Sequence, residues 1–184
     1  MRPNRFDQIP CPIGRATDLL GDPWIPMILR ECTYGVARFE DFRERLGIGR
    51  NVLATRLERM IESGLLEKWR YQESPPRDGY RLTLKGRGAT TILAAMIRFA
   101  NDWVFGEEQA PVLLCDAETG RALRPVVVDE TTGQPIATFR TKLAAGPGFP
   151  GDDAFKQQWF NPETPTRRAA ASPPPEEPPQ GAAG

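Results

Sequence analysis

The stretch GIGRNVLATRLERMIESGLL, residues 47–66, predicts a helix with one apolar side. Its apolar residues stand at i, i+4, i+7 and i+8, the spacing with which a surface helix faces a core. They are Leu53, Leu57, Met60 and Ile61. Ser63 and Gly64 follow, and such a pair favours the end of a helix. The stretch therefore predicts one core-facing helix.

The opposite side of this helix is polar and, in its first half, basic. At ~100° per residue, it collects Asn51, Thr55, Glu58, Arg59 and Glu62, with Arg50 in the first turn and Arg56 on the flank. The two glutamates would repel phosphates, so a nucleic acid is expected to meet only the first half of the helix. The alternative is an ordinary solvated face with intrahelical ion pairs.

Three helices are predicted before this one. The first begins at Pro12, a residue type favoured in the first helical turn, and ends near Gly21. The second begins at Asp22 and Pro23 and ends at Gly35. The third lies in RFEDFRERLG, residues 38–47, with its apolar residues facing inward.

A hairpin and a long helix are predicted after it. LLEKWRYQE and YRLTL are β-rich runs joined by SPPRDG, a turn cluster that carries Arg77 at the tip of the hairpin. The closing helix, LKGRGATTILAAMIRFANDWVFG, has an apolar side wider than packing on one small core requires.

This order of elements predicts a winged helix-turn-helix, a mainly α fold with a small β-hairpin wing. In that architecture the second helix of the turn pair enters the major groove of DNA. Arg50 suits guanine, Asn51 suits adenine, and Thr55 suits a phosphate or a thymine methyl group. Arg77 suits a phosphate or the minor groove. The predicted DNA-binding residues are Arg50, Asn51, Thr55, Arg56, Arg59 and Arg77.

Composition narrows the class of function. Residues 1–105 hold 17 basic and 13 acidic residues, a net charge of +4 that weakly suggests an anionic partner. The chain has no histidine, which removes the commonest general base, the histidine-dependent hydrolase triads and histidine-containing zinc sites. We therefore expect neither an enzyme nor a cofactor.

The location of the protein follows from what the sequence lacks. No apolar run approaches the ~18 residues of a membrane span, and the first residues lack the long apolar segment of a signal peptide. Three widely spaced cysteines do not form a disulfide framework. A cytoplasmic protein with reduced thiols and no membrane contact is expected.

Composition also divides the chain. Residues 1–106 carry the helical pattern, and residues 107–145 contain short apolar runs broken by Thr-Gly pairs, which predict a small β-rich extension. Residues 146–184 are rich in Pro, Gly and Ala and predict a disordered tail.

Residues 10–105 resemble the HxlR-type, MarR-like winged helix-turn-helix regulators of bacteria. The resemblance rests on CPIGRATDLLGDPW, on ILRECTYGVARFEDFRERLGIGRNVLATRLERMIESGLLEK and on YQESPPRDGYRLTLKGRG. It implies a homodimer, held by the first and last helices, that binds a near-palindromic operator. Gly49 departs from the family, where a serine commonly caps the recognition helix, and a glycine cap costs only a few tenths of a kcal/mol.

Cys11 matches the family cysteine that senses electrophiles or oxidants in some members. A helix N-terminus makes a thiol more reactive, so one hypothesis is that Cys11 senses an oxidant or effector. A small buried residue at the dimer contact is the other.

The extension repeats the unit Asp-x-x-Thr-Gly at 116–120 and 129–133. This spacing is similar to the zinc-ribbon extension that some family members carry, with Asp and Thr in place of the cysteines. Threonine is a poor Zn²⁺ ligand, so we expect a metal-free descendant whose turns are held by Asp and Thr hydrogen bonds.

The sequence thus predicts a dimeric, sequence-specific DNA-binding transcriptional regulator, responsive to a small-molecule effector or an oxidant. The alternative is a winged-helix protein-interaction module without specific DNA binding, which the near-neutral overall charge and the acidic tail would suit.

Overall fold

The computed structural model describes residue 6, residues 10–136, residue 141 and residues 143–151. The chain divides into two compact units, Met1–Val126 and Val127–Gly184. The predicted disordered tail lies outside the described residues from residue 152 onward. The domain boundaries expected at 106 and 145 stay predictions.

The described residues of the first unit form five α-helices and one antiparallel hairpin, and the predicted fold class is confirmed. The elements are α1 (Pro12–Leu20), α2 (Trp24–Thr33), α3 (Phe39–Leu46), α4 (Arg50–Glu62), β1 (Leu66–Gln72), β2 (Arg77–Leu82) and α5 (Leu84–Ala100). A π-helical turn, Asn101–Phe105, extends α5, and a short 3₁₀ helix spans Glu107–Gln109. The described part of the chain contains no helix long and apolar enough to cross a membrane.

The turn between α3 and α4 is short because glycine permits it. Gly47 follows the last residue of α3 with a φ of 61°, in the left-handed region that favours glycine. Gly49 is the N-cap of α4 and makes no side-chain cap hydrogen bond. The two helices are therefore joined by only Gly47, Ile48 and Gly49, as in a helix-turn-helix.

The core lies where α2, α3, α4, the start of β1 and the first half of α5 meet. Leu53 and Met60 of α4 are fully buried, and Leu57 is 1% exposed. The other buried apolar residues are Ile25, Ile28, Leu29, Phe42, Ile48, Leu65, Leu66 and Ala89. Burial of this stripe fixes the rotation of α4 about its axis.

The wing is attached to the helices through the buried start of β1 and through β2. Leu66 pairs with Leu82 at the base of the hairpin, and the backbone N–H of Tyr80 donates to the carbonyl of Ala37 at 2.8 Å. Gly79 sits close to Ala37, where a Cβ would lie only 3.2 Å from the Ala37 carbonyl oxygen. The hairpin therefore packs against the link between α2 and α3.

Glu31 is the only buried charged residue among those the structure describes. Its carboxylate on α2 accepts hydrogen bonds from Arg30 and from Arg45 of α3. Burial raises the pKa of this carboxyl group, but the hydrogen bonds from Arg45 and Arg30 outweigh burial and hold the pKa below its ordinary value. Glu31 thus joins the first helix of the turn pair to α2.

The segment after α5 differs from the predicted strands. The described residues from 107 to 136 form two isolated bridges, Cys115 with Ala122 and Val128 with Pro135. Proline lacks the N–H that a longer ladder needs, and Pro125 and Pro135 fall in these runs.

Each bridge closes on one Asp-x-x-Thr-Gly turn. Asp116 Oδ1 accepts from the backbone N–H of Thr119 at 2.8 Å and from its hydroxyl at 2.7 Å. Asp129 and Thr132 repeat both contacts at 2.8 Å. The link to a zinc ribbon stays a prediction.

We predict that Glu31→Gln lowers the free energy of unfolding at neutral pH by about 1–3 kcal/mol, because charge-assisted hydrogen bonds are lost. A carboxyl group whose folded pKa is depressed stabilises above its unfolded pKa and loses this effect as pH falls. The difference between wild type and Glu31→Gln should therefore shrink as pH drops below the ordinary glutamate value of 4.5. Urea unfolding between pH 7 and pH 3 measures it, and a constant difference would contradict the assignment.

Candidate nucleic-acid interface

The outer side of α4 presents polar side chains to solvent while its inner side is buried. Arg50, Asn51, Thr55 and Arg59 are exposed, and so are Glu58 and Glu62. The side of α4 that was predicted to be polar is therefore exposed, and its contact with DNA stays a prediction. Arg50, Asn51 and Thr55 occupy the first two turns, whereas Arg59 lies between the two glutamates in the second half.

Arg50 is held on two sides by α3. Its Nη2 donates to Glu40 Oε1, and its guanidinium carbon lies 5.2 Å from the centroid of the Phe39 ring. The other Glu40 oxygen accepts from Arg43 Nε at 2.7 Å. The side chain of Arg50 is still 66% exposed, so part of its guanidinium can meet a ligand.

Asn51 and Thr55 lie one turn apart on the same side of α4. The Thr55 hydroxyl donates to the Asn51 backbone carbonyl at 2.9 Å. In the part of the chain that the structure describes, the Asn51 side chain makes no hydrogen bond. Its amide N–H donors and carbonyl acceptor are therefore unused, and the expected contact with adenine stays a prediction.

Arg56 contacts the link between α1 and α2, and Arg59 contacts α1. Arg56 Nε and Nη2 each lie 2.9 Å from Asp22 Oδ2, and Asp22 Oδ1 accepts from the backbone N–H of Trp24 at 3.0 Å, at the start of α2. Arg59 Nη2 donates to the backbone carbonyl of Asp18. Arg56 is therefore turned toward the α1–α2 link, whereas the Arg59 side chain remains exposed.

Arg77 lies beside the tip of the wing and not on it. The turn covers residues 73–76, and Arg77 is the first residue of β2, opposite Gln72. It is exposed and forms no ion pair with the described residues. Two other arginines are neutralised across the strands, Arg70 by Asp78 at 3.1 Å and Arg81 by Glu67 at 2.7 Å. Arg77 and Lys68 are the exposed cations of the hairpin without such a partner among the described residues.

The two cysteines of the helical region differ. Cys11 is the N-cap of α1, where its Sγ accepts from the backbone N–H of Gly14 at 3.5 Å. Cys32 packs against the core, and burial, with a smaller contribution from the Glu31 charge, raises the pKa of its thiol to about 12. Cys32 therefore stays protonated, and sensing at Cys11 stays a prediction.

Residues 19–108 match the model of the HxlR-like helix-turn-helix family. The chain is 32% identical over 137 residues to the HTH-type transcriptional regulator Rv3095 of Mycobacterium tuberculosis, a match that covers 74% of this chain and 87% of the relative. The chain belongs to the HxlR-like family. Two solved structures extend the likeness beyond the family match.

The first of these structures is that of PA1607, a proposed transcription factor. It is 31% identical, covers 78% of this chain and all of PA1607, and superimposes with a TM-score of 0.70. The second, PA1374 of Pseudomonas aeruginosa, is 30% identical, covers 80% and 99% of the two chains, and gives a TM-score of 0.56. This HxlR-like protein is therefore a winged-helix, DNA-binding transcriptional regulator.

Sequence reasoning missed Phe39 and Glu40 as neighbours of Arg50. They lie eleven and ten residues before Arg50, respectively, on a different helix, so no helical spacing joins them to Arg50. The sharp glycine turn between α3 and α4 brings them together, and a turn geometry of this kind leaves only a weak signal in one sequence.

We predict that Arg56→Ala lowers the free energy of unfolding by about 1–3 kcal/mol, the range for hydrogen bonds to charged groups. The reason is that it leaves the carboxylate of Asp22, whose side chain is 10% exposed, without its cation. Arg50→Ala, the matched change on the exposed face of α4, should alter the free energy of unfolding by less than about 0.5 kcal/mol. Urea unfolding of both variants tests this, and equal losses would contradict a positioning role for Arg56.

Proposed function

We propose that this HxlR-like protein regulates transcription as a homodimer that reads a near-palindromic operator with the first half of α4. The exposed set Arg50, Asn51 and Thr55 carries the proposal. These side chains stand on one side of a helix whose other side is locked in the core. An arginine and an amide at the start of such a helix match the donor and acceptor pattern of the major groove.

The wing supports the same orientation toward DNA. Arg77 is exposed at the start of β2 and lacks an intramolecular carboxylate among the described residues, so it can neutralise a phosphate. Glu58 and Glu62 are exposed on the second half of α4. They favour an approach in which only the first two turns enter the groove.

The exposed apolar side of α5 supports a dimer. Phe99 is 63% exposed and Met96 is 49% exposed, and Trp103 in the following π-helical turn is 63% exposed. Only Gly86 and Ala89 of α5 are buried in the isolated chain. Covering this surface with the same helix of a second copy would remove it from water.

A salt-dependent binding titration tests the proposal. The full chain is titrated onto its own upstream DNA and onto a random duplex of equal length, at several salt concentrations. We expect tighter binding to the upstream DNA and a linear fall of log affinity with log salt. Equal affinity for both duplexes at every salt concentration would favour the alternative, a protein-interaction module.

Repeating the titration after diamide treatment tests Cys11, and unchanged operator affinity would contradict oxidant sensing.

Variants of the predicted contacts divide base reading from phosphate binding. Arg50→Ala and Asn51→Ala should each relax the preference for the operator, with a loss of about 1–3 kcal/mol of discrimination. Arg77→Ala should weaken binding to every sequence and flatten the salt slope by about one unit. The same titration measures all three, and equal losses on operator and random DNA for all three would contradict this division.

The dimer has its own test. Phe99→Glu places a charge in the proposed interface and should convert the dimer to a monomer of 20.5 kDa, measured by light scattering after size exclusion. Arg87→Glu, at an exposed site ~180° around α5 from Met96, is the control and should remain dimeric. A monomeric wild type, or a Phe99→Glu variant that stays dimeric, would contradict the proposed interface.

A further inference from the structure

Arg50 is the base-reading arginine of the proposed function, and it does not stand free at the start of α4. Glu40 Oε1 accepts from its Nη2, and the Phe39 ring lies under its guanidinium at 5.2 Å. Both partners belong to α3, which packs beside α4. The side chain that would read DNA is thus restrained by the neighbouring helix before any DNA arrives.

This restraint leaves the reading function of Arg50 open. A guanidinium has five N–H donors, and the Glu40 contact uses one of them. Four donors remain on a side chain that is 66% exposed, enough for a bidentate contact with guanine O6 and N7. The restraint also reduces the rotamer freedom that Arg50 would lose on binding.

The restraint has a second effect, on phosphate binding. A mobile arginine at the edge of an interface can neutralise whichever phosphate is nearest, and that contact carries no sequence information. The ionised Glu40 side chain competes for the same guanidinium. The hydrogen bond from Arg43 and, to a smaller extent, the charge of Arg50 lower the pKa of Glu40, although desolvation opposes them. Glu40 is therefore charged at neutral pH and can compete with phosphates for Arg50.

We infer that Glu40 is a specificity-determining residue: its ion pair with Arg50, beside Phe39, directs the guanidinium to base edges and withholds it from the phosphates of random DNA. The inference rests on the proposed function of α4. Specificity is the difference between the affinity for operator DNA and the affinity for random DNA. Glu40 widens this difference by lowering the affinity for random DNA. Glu40 itself contacts no base, so it acts as a positioning residue.

The test compares Glu40→Gln with Glu44→Gln. Both changes remove one negative charge from the exposed side of α3, but Glu44 forms no ion pair with the described residues. Each protein is titrated onto operator and random DNA at several salt concentrations. For Glu40→Gln we expect the operator-to-random affinity ratio to fall about three- to tenfold, part of the value of one bidentate base contact. The salt slope on random DNA should steepen by about one unit.

The control and a double variant distinguish the release of Arg50 from the mere loss of one negative charge on α3. Glu44→Gln should leave the affinity ratio within about twofold of wild type, since it does not release Arg50. In an Arg50→Ala background, Glu40→Gln should no longer change the ratio, because its effect passes through Arg50. Circular dichroism of every variant confirms that the fold is retained.

Three results would overturn the inference: an unchanged or higher ratio in Glu40→Gln, an equal fall in Glu44→Gln, or an effect that persists without Arg50. A failure of the proposed function gives a different result. In that case the wild type itself does not distinguish the operator from random DNA.

Discussion

The burial of Leu53, Leu57 and Met60 is the constraint on which the rest of the interface depends. These residues are at most 1% exposed, and a helix pinned by three positions on one side cannot turn about its axis without opening a cavity. Their burial therefore decides that Arg50, Asn51 and Thr55 face outward. The position of the wing depends on the same core, because Leu66, the first residue of β1, and the preceding Leu65 are buried in it.

Around this apolar stripe, the arginines of the helical region are arranged by carboxylates. Arg45 is tied to the buried Glu31, Arg56 to Asp22, and Arg50 to the more exposed Glu40. The carboxylates of these pairs differ in exposure. The buried pairs join helices and links to one another, whereas the exposed pair orients an arginine side chain at the surface. A regulator with a near-neutral net charge can therefore bind DNA with few unpaired basic side chains, provided that these side chains lie on the surface that faces the groove.

The elements of the helical region were predictable because their signals are local. The apolar stripe of residues 53–61, the proline at residue 12 and the glycines after the helices each act within one or two turns of chain. The contacts of the arginines were not predictable. Arg56 was expected on the flank of a DNA-binding helix, and its bond to Asp22 spans 34 residues. The predicted strands after α5 are reduced to single bridges, because the apolar runs resembled strands while their prolines limit pairing.

Site-specific cross-linking tests most directly whether the first half of α4 meets DNA. A photoreactive probe is placed at position 51 in one variant and at position 62 in another, and each protein is irradiated with its upstream DNA. We expect a cross-link from position 51 that competitor operator DNA abolishes, and none from position 62. Equal cross-linking from both positions, or cross-linking from position 62 alone, would contradict it.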